Sequence, residues 1–352
     1  MRISELFDRY LGMELLKKLG IMLVAIIAAM AVGSVFVLMS GASPADAYYY
    51  MLVKPLSSIT SLGEVFIYFT PLLLVGLGVS FTFHCKLSNL GGEGQILCGA
   101  LGMTLVGITP IAKTLGPLSL VLGAIVGVLF GTRYATLAAW FRAMFNASEI
   151  VITLMLNYIA EQFISYIIFY HLKTGAEPQS PRVGYTIPKI FSNSRMNYGV
   201  LVALLLAVVY YIVVYRTKFG YNLQTLGGSR KAAKYGGVSA KRYYFYAMMI
   251  SGGFCGLAGM MQVAGNTGRL MSGVAADFGF GGIVVALLGS LNPLGVVIAA
   301  FFMALISAGS VTMQVKTGIP TSFASILEAL IVLFILLGMA VTAYLDSRKK
   351  VK

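Results

Sequence analysis

Long apolar runs follow one another along the whole chain, separated by short polar or basic segments, and nothing constrains its fold more. The runs fall at about 20–40, 64–83, 95–111, 117–139, 149–170, 198–215, 243–263, 280–291, 293–314 and 322–343. About 20 apolar residues make a helix long enough to cross the hydrocarbon of a bilayer. Of the 352 residues, 58% are hydrophobic and only 11% charged, whereas a soluble domain keeps about a quarter of its residues charged. The expectation is an all-α polytopic membrane protein of about ten transmembrane helices, a single membrane domain over 1–352. The first run is too long for a signal-peptide core, so it reads as a retained first span rather than a cleaved leader.

The net charge of +14 raises the question of nucleic acid, but the basic residues sit between the apolar runs. There they set orientation and meet anionic membrane lipid, so no nucleic-acid partner is expected. With ten spans and an inner N-terminus, 18 of the 26 basic residues fall on the inner side. Both termini are therefore expected in the cytoplasm. Segment 216–242 contributes most to this bias: it has seven basic residues (Arg216, Lys218, Arg230, Lys231, Lys234, Lys241, Arg242) and no acid. The outer segment 171–197, with Pro178, Pro181 and Pro188, reads as an ordered external loop.

Two runs are not clean. The third is preceded by Leu87-Ser88-Asn89-Leu90-Gly91-Gly92-Glu93-Gly94-Gln95, where glycines beside an acid and amides break the helix. The eighth follows Asp277-Phe278-Gly279-Phe280-Gly281-Gly282, is too short to cross alone, and stops at Asn292-Pro293. Irregular backbone at membrane depth survives only inside the protein or along a wet path. Broken helices near 88–95 and 277–292 thus mark a solute path, entered from opposite faces if the chain is two inverted five-helix halves. Candidate path residues are Asn89, Gly91, Gly92, Glu93, Gln95, Asp277 and Phe280, together with Asn157, which lies mid-span. The competing reading of the first break is a turn in which Glu93 only caps the next helix. Glu149, Glu161, Gln162, Gln262 and Glu328 read as interfacial or interhelical hydrogen-bonding groups. Gly123, Gly127 and Gly131, with Gly252 and Gly256, read as faces for close helix packing.

Signatures of chemistry are missing. There is no HExxH and no GxSxG, and His84 and His171 are far apart. Cys85, Cys98 and Cys255 form no CxxC pair, so neither a metal site nor a disulfide framework is expected. Gly107–Thr114 has Ala112 where a phosphate loop needs its second glycine. No catalytic residue and no bound cofactor is expected, and any ATP would be bound by another chain. Within 216–242, Ser229 can cap a short helix over 230–235 that Gly236 or Gly237 ends. A short, capped, basic helix between glycines reads as a docking element made of Ser229, Arg230, Ala232, Ala233, Tyr235, Gly236 and Gly237.

Four stretches together resemble one family. They are Asn89 to Gln95, Ser148-Glu149-Ile150-Val151-Ile152-Thr153-Leu154-Met155-Leu156-Asn157-Tyr158-Ile159-Ala160, Phe219-Gly220-Tyr221 with Ala232 to Val238, and Gly279 to Ile283 through Asn292-Pro293-Leu294-Gly295. In this order, over nearly the whole chain, they are similar to the permeases of bacterial ABC importers for nucleosides and simple sugars, a family that also holds ribose and branched-chain amino-acid permeases. The stretch from Glu149 to Ala160 is most similar to the nucleoside branch. The chain departs from the pattern at Ser148, where relatives have Asn, at Gly281, where they have an acid, and at His84-Cys85-Lys86.

The resemblance implies a permease domain in the bacterial inner or plasma membrane that pairs with a second permease chain, identical or different. It implies two ABC ATPases docked on the 229–238 helix of each permease, which make 216–242 a cytoplasmic coupling loop, and an extracytoplasmic solute-binding lipoprotein. The expected function is ATP-driven import of nucleosides, with a simple sugar or riboflavin as the alternative solute. A stand-alone carrier driven by an ion gradient is the alternative of another class. An intramembrane enzyme is disfavoured by the missing nucleophile and metal sets.

Overall fold

The structure is a computed structural model that describes Gly20, residues 23–145 and residues 147–349. Arg2, Arg9, Lys17, Lys18, Lys350 and Lys352, which enter the orientation argument, lie outside the described residues. The described chain is helical, with no strand beyond two isolated bridges. Each of the ten apolar runs corresponds to one helix: α1 (Leu23–Met39), α3 (Ile59–His84), α4 (Gly92–Gly107), α6 (Leu118–Phe145), α7 (Glu149–Ile167), α8 (Gly199–Arg216), α11 (Ala240–Gln262), α12 (Phe278–Leu288), α13 (Pro293–Thr317) and α14 (Ser322–Lys349). Among the described residues, four short α-helices lie between them: α2 (Pro44–Tyr48), α5 (Pro110–Leu115), α9 (Lys218–Gly228) and α10 (Arg230–Tyr235). Among the described residues, six helices are long and apolar enough to cross a membrane: α3, α6, α7, α8, α11 and α13. At 1.5 Å per residue α3 is about 39 Å long, whereas α4 is about 24 Å and α12 only about 16 Å.

Two compact units make up the chain. The unit formed by residues 1–56 and 306–352 is tied by Tyr48, whose hydroxyl donates to the Met30 carbonyl at 2.7 Å. In the same unit, Glu328 accepts from Ser307 at 3.2 Å, the interhelical role expected for it.

The second unit, Ser57–Leu305, is built around α11, which packs on α3, α4 and α6. Its buried face carries Gly252, Gly256 and Gly259. A Cβ on Gly256 would collide with the backbone of Gly127, one on Gly131 with that of Gly252, and one on Gly99 with that of Gly256. The expected small-residue faces therefore interlock. Lipid tails are as apolar as leucine, so close approach and packing, rather than a hydrophobic drive, hold such helices together. The two halves of this unit exchange partners: α4 follows α3 but packs on α11, while α12 follows α11 but packs on α3.

The two ends of α3 differ. At the Ile59 end, segment 171–197 forms an ordered strap. Its amides at Ser180, Val183, Gly184 and Ile187 donate to the carbonyls of Leu270, Gly268, Gly107 and Ala264, and Arg195 pairs with Glu64 at 3.0 Å. At the other end, Gly227 of α9 lies against the His84 backbone. There the buried Tyr210 hydroxyl donates to the Leu291 carbonyl at 2.8 Å and bonds His84 Nε2 at 2.9 Å.

Candidate functional site

Helix α12 runs alongside α3 in the same direction. Phe278 meets the Tyr68 ring, with centroids 6.0 Å apart; further along, Gly281 lies against Leu72 and Gly282 against Val75. Tyr68 is about 14 Å along α3 from Ile59, so α12 begins well inside the unit. Helix α4 runs the other way and ends at the strap, through Gly107. The N-termini of these two short helices meet. A Cβ on Gly92 would sit 2.9 Å from the Gly279 Cα, and one on Gly279 would fall on the backbone nitrogen of Glu93. Only glycines permit this approach.

Helix N-termini leave unpaired N–H groups and a partial positive charge, and Glu93 meets both needs. It lies in the first turn of α4, and its Oε2 accepts from the Gly279 N–H of α12 at 3.1 Å. Asp277 stands two residues before Gly279, at the start of α12. Asp277 and Phe280 are exposed and Glu93 is partly so, which leaves two acids and an aromatic ring open at the meeting point. Asp277 has a left-handed backbone, φ 60°, that turns the chain sharply into α12.

The amides among the candidates lie behind this surface. Asn89 Nδ2 donates to Ser251 Oγ at 2.8 Å and to Gln95 Oε1 at 3.2 Å. Its Oδ1 accepts from the Gly91 N–H at 3.0 Å and from Gln95 Nε2 at 3.1 Å. Asn157 accepts from the Gly94 N–H at 2.9 Å and donates to the Leu90 carbonyl at 2.8 Å. All three amides are buried. They replace the hydrogen bonds that the broken backbone of 89–94 gives up, as buried polar groups require. Thr153, whose Oγ1 accepts from the Leu90 N–H at 3.3 Å, and Ser251 belong to the same network but escaped the sequence reading. Thr153 was detectable in principle, since it lies one turn before Asn157 on α7.

The expected short capped helix forms between Ser229 and Gly236. Helix α10 spans Arg230–Tyr235, with Ser229 Oγ accepting from the Ala232 N–H at 3.3 Å and Gly237 at φ 76° beyond the end. Ala233 is fully buried, whereas Tyr235 projects, 94% exposed. Helix α9, which supports α10, forms where the sequence suggests only loop. The three cysteines are free and buried, and among the described residues no cluster of His, Cys, Asp or Glu could hold a metal.

Apolar helices broken at two points, with helix N-termini facing each other in the interior, are the construction of a membrane transport protein. A family model described as the permease component of a branched-chain amino acid transport system matches residues 61–336. The guanosine ABC transporter permease protein of Bacillus subtilis is 34% identical over 346 residues, 95% of this chain and 98% of that one. The glucose ABC transporter permease protein of Haloferax volcanii is 32% identical over 336 residues, 90% and 87% of the two chains. A nucleoside ABC transporter permease protein of Lactococcus lactis is 28% identical over 350 residues, 96% and 95%. The chain belongs to this ABC transporter permease family: it is a multi-pass membrane component of a transport system rather than an enzyme. Its family works with ATPase and solute-binding partners.

Proposed function

We propose that this chain forms the solute path of an importer for nucleosides, driven by ATPases that dock on α10. The observation that carries this reading is the meeting of α4 and α12 over Glu93, with Asp277 and Phe280 open beside it. Carboxylate oxygens accept hydrogen bonds from the N–H and O–H groups of a base and ribose, and an exposed ring offers a face for a planar base. Gly91 and Gly92 give the backbone its path, while Asn89, Gln95 and Asn157 hold it in shape. The names of two relatives matched over nearly their full length, the guanosine and nucleoside permeases, support this solute class. The similar identity to the glucose permease favours a simple sugar as the second reading.

The basic α9–α10 segment lies at the end of α3 away from the strap, and the positive-inside bias assigns that end to the cytoplasm. The strap then faces outward, where a solute-binding lipoprotein delivers its load; the same bias of basic residues along the sequence assigns both termini to the cytoplasm. The membrane is the bacterial plasma membrane, and the exposed acids face a second permease chain, identical or different. The protein holds no cofactor of its own, since ATP belongs to its two ATPase partners.

The test is uptake of labelled guanosine into liposomes carrying this chain with its partner permease, ATPases and binding protein. Excess unlabelled nucleosides should block uptake, and glucose, ribose or riboflavin should not. Uptake of labelled glucose or ribose with none of guanosine selects the second reading, and uptake without ATPases under an ion gradient overturns the ATP-driven role. In the same system E93Q, which retains an acceptor for the Gly279 N–H, should lower uptake about tenfold if the negative charge serves the path. Unchanged uptake would reduce Glu93 to a cap.

A further inference from the structure

A cavity lies away from the helix meeting point, at the end of the unit that carries α10. It has a volume of about 300 Å³ and is lined by the end of α6, the start of α7, Leu87, and the starts of α10 and α11. That volume is at the lower end of the range for small-ligand sites. Its charged lining residues are Arg142, Arg230, Lys241 and Glu149. Arg142 pairs with Glu149, which leaves two cationic side chains in excess.

The geometry around Tyr244 is specific. The Arg142 guanidinium lies 5.2 Å from its ring centroid and the Arg230 guanidinium 5.3 Å from the same centroid. Two guanidiniums are thus gathered on one ring, and among the described residues only Arg142 of the two has an ion-pair partner, Glu149. The Tyr244 hydroxyl is buried and, among the described residues, has no hydrogen-bond partner. A buried hydroxyl without a partner costs about 1–3 kcal/mol, which an acceptor reaching it from the cavity would recover. A loop that merely keeps positive charge inside needs neither the shared ring nor the buried hydroxyl.

We propose that this cavity binds a phosphate group, held by Arg230, Lys241 and the Tyr244 hydroxyl, with Arg142 completing the cationic wall. A guanidinium fork and a neutral O–H donor match phosphate oxygens. Two sources offer that chemistry. Exposed Trp140, Phe141 and Phe145 cluster next to Arg142 on α6, as aromatic residues do at the membrane interface, where the headgroup of an anionic lipid would enter. A soluble phosphate or phosphate monoester would enter from the cytoplasm instead. Either would brace the start of α10 through Arg230, independently of which solute is carried.

The full-length chain in nanodiscs distinguishes the two, studied without the ATPases because they bind phosphate themselves. In phosphatidylcholine discs, titration with inorganic phosphate followed by calorimetry reads the soluble source. In discs containing phosphatidylglycerol, lipid retained in native mass spectrometry reads the lipid source. Tyr244→Phe keeps the ring beneath both guanidiniums and removes only the hydroxyl. Without added anion it should unfold at or above the wild-type temperature, because the orphaned hydroxyl is gone, and it should weaken binding of whichever probe binds by about tenfold or more. Lys218→Gln, a basic residue of the same segment outside the cavity, should change neither. The proposal is overturned if wild type binds neither probe, if Y244F binds both as well as wild type does, or if K218Q weakens binding as much as Y244F.

Discussion

Replacing Asn157 with leucine removes two hydrogen bonds and almost no volume, which makes it a clean test of how the first broken helix is held. Its Oδ1 is the acceptor for the Gly94 N–H at 2.9 Å and its Nδ2 the donor to the Leu90 carbonyl at 2.8 Å. Gly94 is buried and Leu90 half-buried, so water cannot fully replace either partner. An orphaned buried group costs about 1–3 kcal/mol, and two of them give a loss of about 2–5 kcal/mol. Ser251→Ala is the internal comparison: it removes one acceptor from Asn89 Nδ2, which still reaches Gln95 Oε1, so it should cost about 1 kcal/mol or less. Thr153→Val, which removes a longer bond to the Leu90 N–H, should fall between them. Unfolding in nanodiscs by heat or by titrated SDS gives the ranking. Uptake should fall with N157L through its maximal rate, because the start of α4 shifts against Gly279. If N157L and S251A unfold within about 1 kcal/mol of each other, Asn157 is not the fastener proposed here.

Gly279→Val places a branched side chain on the backbone of Glu93; it should abolish uptake while the protein still inserts, as measured by membrane fractionation, and wild-type uptake would refute the close meeting. Tyr235→Ala removes the exposed ring of α10 and should cut ATP-driven uptake and ATPase co-purification with an unchanged melting temperature. It probes docking better than a substitution at Ala233, which is buried and whose loss would disturb α10 itself. Tyr210→Phe leaves the Leu291 carbonyl and His84 without their shared partner and should cost about 1–3 kcal/mol in the same unfolding assay.

The crossing helices were legible because apolar length is a local property, and even the shortness of α12 could be read, although it ends at Leu288, before the expected Asn292-Pro293 stop, where Ser290 and Leu291 take positive φ. Helix α10 was legible for the same reason: a serine cap and a left-handed glycine are neighbours in sequence. The division of labour within 89–95 was not. Asn89, Glu93 and Gln95 are polar residues of one segment, and only the fold turns the amides inward to Ser251 and to each other while Glu93 faces Gly279. That contact joins residues far apart in sequence, and no periodicity reports it. Helix α9 was missed because its glycines and polar residues read as loop, although packing against the end of α3 and α8 supplies what propensity lacks. Tyr244 was one aromatic among many until two guanidiniums were found on it.

One acid serving two helices has a mechanical consequence for the proposed path. Each helix end presents about half a positive charge, and a carboxylate there contributes roughly 0.3–1 kcal/mol, up to about 2 when partly buried. Glu93 contributes to α4 through its place in the first turn and to α12 through the Gly279 N–H. Any motion that separates α4 from α12 breaks the second contribution and leaves the first. The contact therefore favours the joined arrangement by an amount that a bound solute can replace, if its own hydrogen-bond donors and acceptors reach Glu93 and the freed end of α12. In that case solute does not merely pass the meeting point but takes over part of its hydrogen bonding. Gly92→Ala, whose Cβ would sit 2.9 Å from the Gly279 Cα, would then weaken the joined arrangement and change the rate of transport without weakening solute delivery at the strap. If G92A transported solute at the wild-type rate, the joined arrangement would not set the pace of transport.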